Sequence, residues 1–358
     1  MVARRLPLAA VQHILVIRLS SLGDILLTTP IVRLLRQHCP QAQIDFLVKA
    51  QYADLLRSHH CIDRLVLFEE RQTLGHTLRA LRQARYDLVL DLHRTLRSRL
   101  LSYGLLARHK LAYNKHPVRR ALLVYGGWNR LRAKTPVPEL YAAPLRRLGI
   151  TAALPALEMH LAPGSQDAMC TQLRQVFPGA QGRPYLAVAP GARWLTKRWP
   201  VERFATVAQE LAAAQDAAVV VLGGAEDRPL GQKLCDNLRV PALDCTGRLT
   251  LMQTAALLRR CRVLISNDSG LMHMAVALRV PVVAMFGPTV QEFGFYPFQA
   301  RAQVMSTALA CRPCSTKGSA RCPRGHHHCM QQITSAEVLL AAQRLWDGEG
   351  IHHDQAAF

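Results

Sequence analysis

The sequence runs to 358 residues, half of them apolar and 19% charged. That length exceeds one ordinary hydrophobic core and that composition excludes a disordered chain, so two globular domains are expected. Lys and Arg number 45 against 24 Asp and Glu, a net charge of +21, which implies an anionic partner (nucleic acid, lipid headgroup or phosphorylated glycolipid) or an Arg-rich composition with no partner at all.

No stretch reaches the roughly 18 uninterrupted apolar residues that a membrane-spanning helix needs, so any membrane contact is expected to be peripheral. Arg4 and Arg5 precede Leu6 to Ile17 in the manner of a secretory signal. Gln12 and His13 interrupt that run and no small-x-small cleavage site follows, so it reads as the lead into a buried strand. Ten cysteines, six scattered and four packed into 311–329, do not form the framework of a small secreted domain. They fit a reducing cytoplasm.

The first predicted unit is a strand over His13 to Leu19, a tight loop Ser20-Ser21-Leu22-Gly23-Asp24, and a helix carrying Ile25, Leu26, Ile31, Val32, Leu34 and Leu35. Strands are expected again at Gln43 to Lys49, Arg64 to Phe68, Tyr86 to Leu92 and Lys110 to Tyr113, with helical stretches between most of them. Apolar strands alternating with helices predict a parallel sheet covered on both faces. Between Thr151 and Pro184 repeated Pro and Gly break the pattern, which reads as a linker. The alternation restarts with strands at Tyr185 to Ala189, Ala217 to Gly223, Ala242 to Cys245, Arg262 to Ser266 and Val282 to Phe286. Helices are expected near 200–214, 228–238, 250–260 and 270–279, and a last one over Ala336 to Trp346. The predicted fold class is therefore α/β, two Rossmann-like doubly wound domains facing across a cleft. Their bounds are 1–165, a linker at 166–184, 185–335, and a terminal helix and tail at 336–358. Ligands in such folds bind beyond the carboxyl ends of the strands.

The chemistry-bearing residues fall at those ends. Asp24 follows the first strand and opens a helix; it can remove the proton of an attacking hydroxyl, or it can simply cap the helix. The run Pro190-Gly191-Ala192-Arg193-Trp194-Leu195-Thr196-Lys197-Arg198-Trp199-Pro200 places three cations beside a glycine turn, either as a diphosphate clamp led by Lys197 or as a solvated loop. Asn267-Asp268-Ser269-Gly270-Leu271-Met272-His273 again joins a strand to a helix start, where free amides favour phosphate. There Asp268 accepts from sugar hydroxyls or caps the helix, and His273 faces a ligand or lies buried. Glu226, after Gly223-Gly224, can hold ribose hydroxyls or be an exposed turn residue, and Gly287-Pro288-Thr289 is a turn of similar ambiguity. Arg94, Arg97 and their basic neighbours suit an acceptor phosphate or carboxylate, or form a solvated face. Nucleic acid is not expected, because exposed aromatics are not interleaved with the cations.

Cys311, Cys314, Cys322 and Cys329 form a compact set that can hold a structural zinc ion, remain as reduced thiols, or pair as disulfides. The chain contains no G-x-G-x-x-G, no G-x-x-x-x-G-K-[ST] and no D-x-D. Dinucleotide oxidoreductases and P-loop enzymes lose ground accordingly, and charge on a leaving diphosphate falls to Lys, Arg and helix ends.

Taken as an ordered set, these segments resemble glycosyltransferase family 9, the ADP-heptose:lipopolysaccharide heptosyltransferases, with Asn267 to His273 the most specific stretch. The resemblance implies a GT-B-type fold and inverting transfer that requires no cofactor for catalysis. It implies an N-terminal domain for the acceptor and a C-terminal domain for the nucleotide sugar. By motif match Asp24 is the general base, Lys197 a donor phosphate contact, Glu226 a ribose contact, Leu249 an apolar neighbour of adenine, and Asp268, Ser269, Gly270 and His273 the rest of the donor site. The motif match does not carry over the acceptor residues; Ser21, Gly23, Arg94 and Arg97 are the expected acceptor contacts from their place in the chain. The implied partners are ADP-heptose, a phosphorylated lipid A–core acceptor and the anionic inner face of the inner membrane. A member using another sugar nucleotide, and more distantly a non-catalytic basic protein binding nucleic acid or phospholipid, are the alternatives.

Overall fold

A computed structural model describes residues 8–69, 71–131 and 134–349; Arg4 and Arg5 lie outside them. Short runs rich in Val, Ile and Leu form the strands, and most are buried on both faces. In the first unit these are β1 (His13–Ile17), β2 (Gln43–Lys49), β3 (Arg64–Phe68), β4 (Leu88–Asp91) and β5 (His109–Ala112). Their order is β3-β2-β1-β4-β5 and all pairs are parallel. Alternation sends Leu15, Ile17, Leu47 and Val89 to one face, where they pack with Leu81 and Leu101 from the helices Leu74–Arg82 and Leu96–Gly104.

The second unit carries β6 (Tyr185–Ala189), β7 (Ala218–Val221), β8 (Ala242–Asp244), β9 (Cys261–Asn267), β10 (Val282–Met285) and β11 (Ala302–Met305). The order is β11-β10-β9-β6-β7-β8, again wholly parallel. Leu186, Val188, Val219, Val221, Val263, Ile265, Val283 and Met285 share one face. Against them lie the helices Val201–Ala214 and Ser335–Trp346, through Phe204, Leu211, Leu345 and Trp346. The last helix is thus part of this unit's core.

Three features depart from the sequence reading. The edge strand β11 has no predicted counterpart, since Gln303 and its half-buried neighbours give no apolar run. The expected linker contains the helix Ser165–Val176, which buries Met169 and Leu173, spaced i to i+4, and packs against the helix Leu251–Leu258. The division between units also falls differently. The first unit comprises the described residues up to His116 together with Thr135–His160, and Pro117–Lys134 joins the second unit with the residues from Leu161 onward. In the second unit Arg120 donates to the Phe293 carbonyl at 3.0 Å and its guanidinium lies over the Phe293 and Phe295 rings.

One buried side chain ties two strands and a loop of the first unit together. Asp45 in β2 is wholly buried and accepts from the Tyr86 hydroxyl at 2.7 Å, Gln43 Nε2 at 3.0 Å and Arg64 Nε at 3.1 Å. Asp45→Ala strands the buried Tyr86 hydroxyl and should cost about 1–3 kcal/mol in urea denaturation. Asp45→Asn, which keeps an acceptor oxygen, should cost less.

Candidate active site

Each sheet has one place where the strand order reverses, between β1 and β4 in the first unit and between β6 and β9 in the second. Loops leaving those neighbouring strands diverge and open a crevice at the carboxyl edge.

In the first unit Ser21 is the N-cap of the short helix Leu22–Leu26, with Gly23 buried inside it, and Asp24 is the third helical residue, reaching back to the cap. Asp24 Oδ2 accepts from the Ser21 hydroxyl at 2.9 Å and pairs with Arg18 Nη2 at 2.8 Å, while Oδ1 accepts from the Tyr141 hydroxyl at 3.4 Å. Both sequence readings of Asp24 are thus compatible with its position. Arg18 and Tyr141 are buried, and Arg18 also donates to the Leu92 carbonyl at 2.5 Å and the Tyr141 oxygen at 2.8 Å. Burial works against the Arg18 charge, but Asp24, Tyr141 and Tyr113 outweigh it and its pKa rises. Burial, with Asp24 and Tyr113, also raises the Tyr141 pKa well above its usual value despite Arg18, so that side chain stays a donor.

At the end of β4 the buried Asp91 carboxylate accepts from the Ser98 hydroxyl at 3.0 Å and from the amides of His93 and Arg94 at 2.9 Å. Arg94 is exposed, in the left-handed region at φ 54°. Arg97 lies over the Phe68 ring at 5.1 Å. His93, on the loop after β4, has its pKa pushed down to about 3 by burial and by the cations Arg18 and Lys115, with Asp24 acting in the opposite sense. It is a neutral imidazole beside the carboxylate.

In the second unit Lys197 closes a short turn after β6 and pairs with Asp268 Oδ2, after β9, at 2.5 Å. Thr289, following β10, donates to the same oxygen at 2.8 Å. Asn267 locks the two loops: its Oδ1 accepts from the Trp199 amide at 3.0 Å and its Nδ2 donates to the Pro190 carbonyl at 2.8 Å. Ser269 occupies the N-cap position of the helix Gly270–Ala277 without a side-chain capping bond, its hydroxyl 3.1 Å from that of Ser266, and His273 is buried in that helix. Lys197, Asp268, Ser269, Gly270 and Thr289 therefore converge on one helix start, where unpaired amides carry partial positive charge. Glu226 is exposed on the turn after β7, and Leu249 is half-buried just before the helix Leu251–Leu258.

Sequence reasoning overlooked Arg18, Tyr141, His93 and Asp227. A lone cation at the end of an apolar strand marks Arg18, since a buried charge demands a partner; no local signal marks Tyr141. Asp227 accepts from the Gly224 amide at 3.0 Å, and burial raises its pKa. It occupies the space against both Gly191 and Gly223, where an added Cβ would come within 2.2 and 2.8 Å of its side chain.

Of the C-terminal cysteines, Cys311, Cys314 and Cys322 are half-buried and Cys329 is buried, all as free thiols. Burial raises the thiol pKa of Cys329 to about 11, and the other three thiols add to the shift. Among the described residues, no three of these sulfurs gather within 4.8 Å of one another.

Two doubly wound parallel sheets, each with polar residues gathered at its switch point, are the architecture of the GT-B type. Residues 75–323 match the family described as glycosyltransferase family 9 (heptosyltransferase). The chain belongs to glycosyltransferase family 9, and it is a glycosyltransferase. It is 28% identical over 366 residues to lipopolysaccharide heptosyltransferase 2 of Salmonella typhimurium, a match covering 95% of this chain and 100% of that protein. The structure of the E. coli ADP-heptose LPS heptosyltransferase II superposes with a TM-score of 0.75 at 26% identity, covering 94% of this chain and 99% of that one. The family 9 glycosyltransferase of Veillonella parvula superposes with a TM-score of 0.79 at 23% identity, covering 96% and 99%.

Gly191→Ala should disturb the loops after β6 and β7, because the new Cβ meets the Asp227 carboxylate at 2.2 Å. A fall in thermal stability is expected in calorimetric melting. Gly179→Ala, with open space around its Cβ, is the neutral control.

Proposed function

We propose that this chain transfers a heptose from ADP-heptose to an inner-core lipopolysaccharide acceptor, with inversion at the anomeric carbon. The observations that carry the reading lie in each unit by itself: a carboxylate held by Arg18 at the first unit's switch point, and a cation beside a helix start at the second's. The names of the full-length relatives supply the sugar and the acceptor. Asp24 takes the proton of the acceptor hydroxyl, whose oxygen attacks the anomeric carbon as the bond to the diphosphate breaks. Arg18 and Tyr141 hold the carboxylate in position. Lys197 and the amides of Ser269 and Gly270 receive the charge developing on ADP. Glu226 and Leu249 hold ribose and adenine, His273 supports the donor loop from within its helix, and Arg94 and Arg97, with Ser21 and Gly23, bind the acceptor. Arg97 does so from its seat on Phe68.

The same reading places the protein in the cytoplasm, resting on the anionic inner face of the inner membrane. Among the described residues no helix is long and apolar enough to cross a membrane. Support for surface contact comes from Leu96, Leu100, Tyr103 and Leu106 in the first unit, all exposed among Arg97, Arg99 and Arg108, and in the second unit from Val118, Tyr125 and Trp128 beside Arg119. Exposed aromatics thus do stand among the cations, contrary to the expectation from sequence, and aromatic and aliphatic side chains set among Arg suit an anionic interface.

Asp24→Asn should lower turnover by about 10²–10⁴-fold while leaving ADP-heptose affinity near that of the wild type; transfer at the wild-type rate would remove Asp24 from the mechanism. A screen with ADP-, UDP- and GDP-sugars should release only ADP, and release of another nucleotide would redirect the donor assignment. In vesicle sedimentation, binding should require anionic lipid, weaken with salt, and drop in Tyr125→Ser/Trp128→Ser. Equal binding to zwitterionic vesicles would contradict the surface assignment.

A further inference from the structure

Away from the switch point, the first unit gathers a second set of polar side chains. His59 and Cys61 lie on the turn that leads into β3, and Glu158 lies on the segment Thr135–His160 that re-enters the unit. The Glu158 amide donates to Thr29 Oγ1 at 3.1 Å, and its Oε2 pairs with Arg33 Nη1 at 2.9 Å, both partners on the helix Thr29–His38. Glu158 Oε1 is left facing His59 Nε2 at 3.3 Å, off the axis of a hydrogen bond. The His59 side chain is 1% exposed, and the off-axis Glu158 carboxylate is what its Nε2 faces. One donor atom each from His59, Cys61 and Glu158 lie within 4.8 Å of one another, the only such set of three among the described residues. Imidazole, thiolate and carboxylate together are the donor set of zinc and its neighbours rather than of calcium or magnesium.

We propose that His59, Cys61 and Glu158 bind one Zn²⁺-class divalent ion, which clasps the re-entrant segment of the first unit to the turn before β3. The ion's two positive charges meet one thiolate and one carboxylate, the carboxylate also being paired with Arg33. Burial, with Glu158, raises the Cys61 thiol pKa while Arg36 and Arg33 only partly offset it, so without a cation the thiol keeps its proton. Binding releases that proton to solvent and forms the metal–sulfur bond, with no change of oxidation state. His59 Nδ1 now accepts from the Cys61 amide at 3.3 Å; ligation through Nε2 places the ring proton on Nδ1 and gives up that long contact. Burial opposes the Glu158 charge, but His59, Arg33 and His160 outweigh it and keep its pKa low. Arg33, with His160 Nε2 at 3.6 Å, holds the carboxylate from behind and fixes its direction. His160 meets the His59 ring edge-on at 5.3 Å and the His60 ring at 4.4 Å.

Cobalt is the probe, because a thiolate bound to Co²⁺ gives a near-ultraviolet charge-transfer band. The full-length reduced protein is stripped with chelator and titrated with Co²⁺, reading bound ion and band intensity. The wild type and a Cys311→Ser/Cys314→Ser control should both take up this equivalent. Cys61→Ser should lose it with its share of the band, and Glu158→Gln should weaken uptake by about tenfold or more. If the wild type binds no ion, or if Cys61→Ser binds as much as the wild type with the same band, the proposal is wrong. Should Cys61→Ser fail to fold by circular dichroism, His59→Gln and Glu158→Gln carry the same comparison.

Discussion

A parallel sheet covered by helices on both faces has no place for an unpaired charge along its strands. Each strand here is joined to its neighbour through a crossover, so side chains on both faces meet apolar partners and polar groups are pushed to the strand ends. The exceptions show the rule: Asp45 inside β2 carries Tyr86, Gln43 and Arg64 with it. Reversal of strand order then selects which end residues meet. Asp24 and His93 leave adjacent strands of one sheet, Lys197 and Asp268 adjacent strands of the other. The location of both constellations follows from burial and connectivity before any chemistry is considered.

That logic explains what was legible in the amino-acid sequence. Apolar runs alternating with helical periodicity are local signals, and the strands they mark form within a residue or two at each end. Residues immediately after those runs could therefore be placed at carboxyl edges, and Lys197, Asp268, Ser269 and Gly270 do converge. Contacts made across long sequence separations were not legible. Tyr141 reaches Asp24 from 117 residues away, and Asp227 fills a space defined by two glycines on different loops. The re-entrant path that returns Thr135–His160 to the first unit is likewise a property of packing. Nothing in the composition of Pro117–Lys134 distinguishes it from its neighbours on either side.

The two units solve the burial problem of their switch-point charges differently. In the first, Asp24 shares Arg18 with a tyrosine hydroxyl and a backbone carbonyl, a set of partners that fixes its direction. In the second, Asn267 does the mechanical work. By bonding the Trp199 amide and the Pro190 carbonyl, it makes the turn after β6 and the helix start after β9 one piece. Lys197 is carried on that piece, so its position depends on an amide side chain that itself needs no ligand.

The Lys197–Asp268 pair has a consequence for selectivity. At 2.5 Å the ammonium already has a carboxylate counter-ion, itself held by Thr289. On the proposed role, an incoming phosphate does not meet a bare cation but competes with an anion built into the protein. A singly charged ligand would replace one such contact with another of similar worth and gain little. A diphosphate, spanning both the lysine and the amides at the start of the helix Gly270–Ala277, gains from the two together. Asp268 would then act as a threshold, setting the charge a ligand must bring before exchange is favourable.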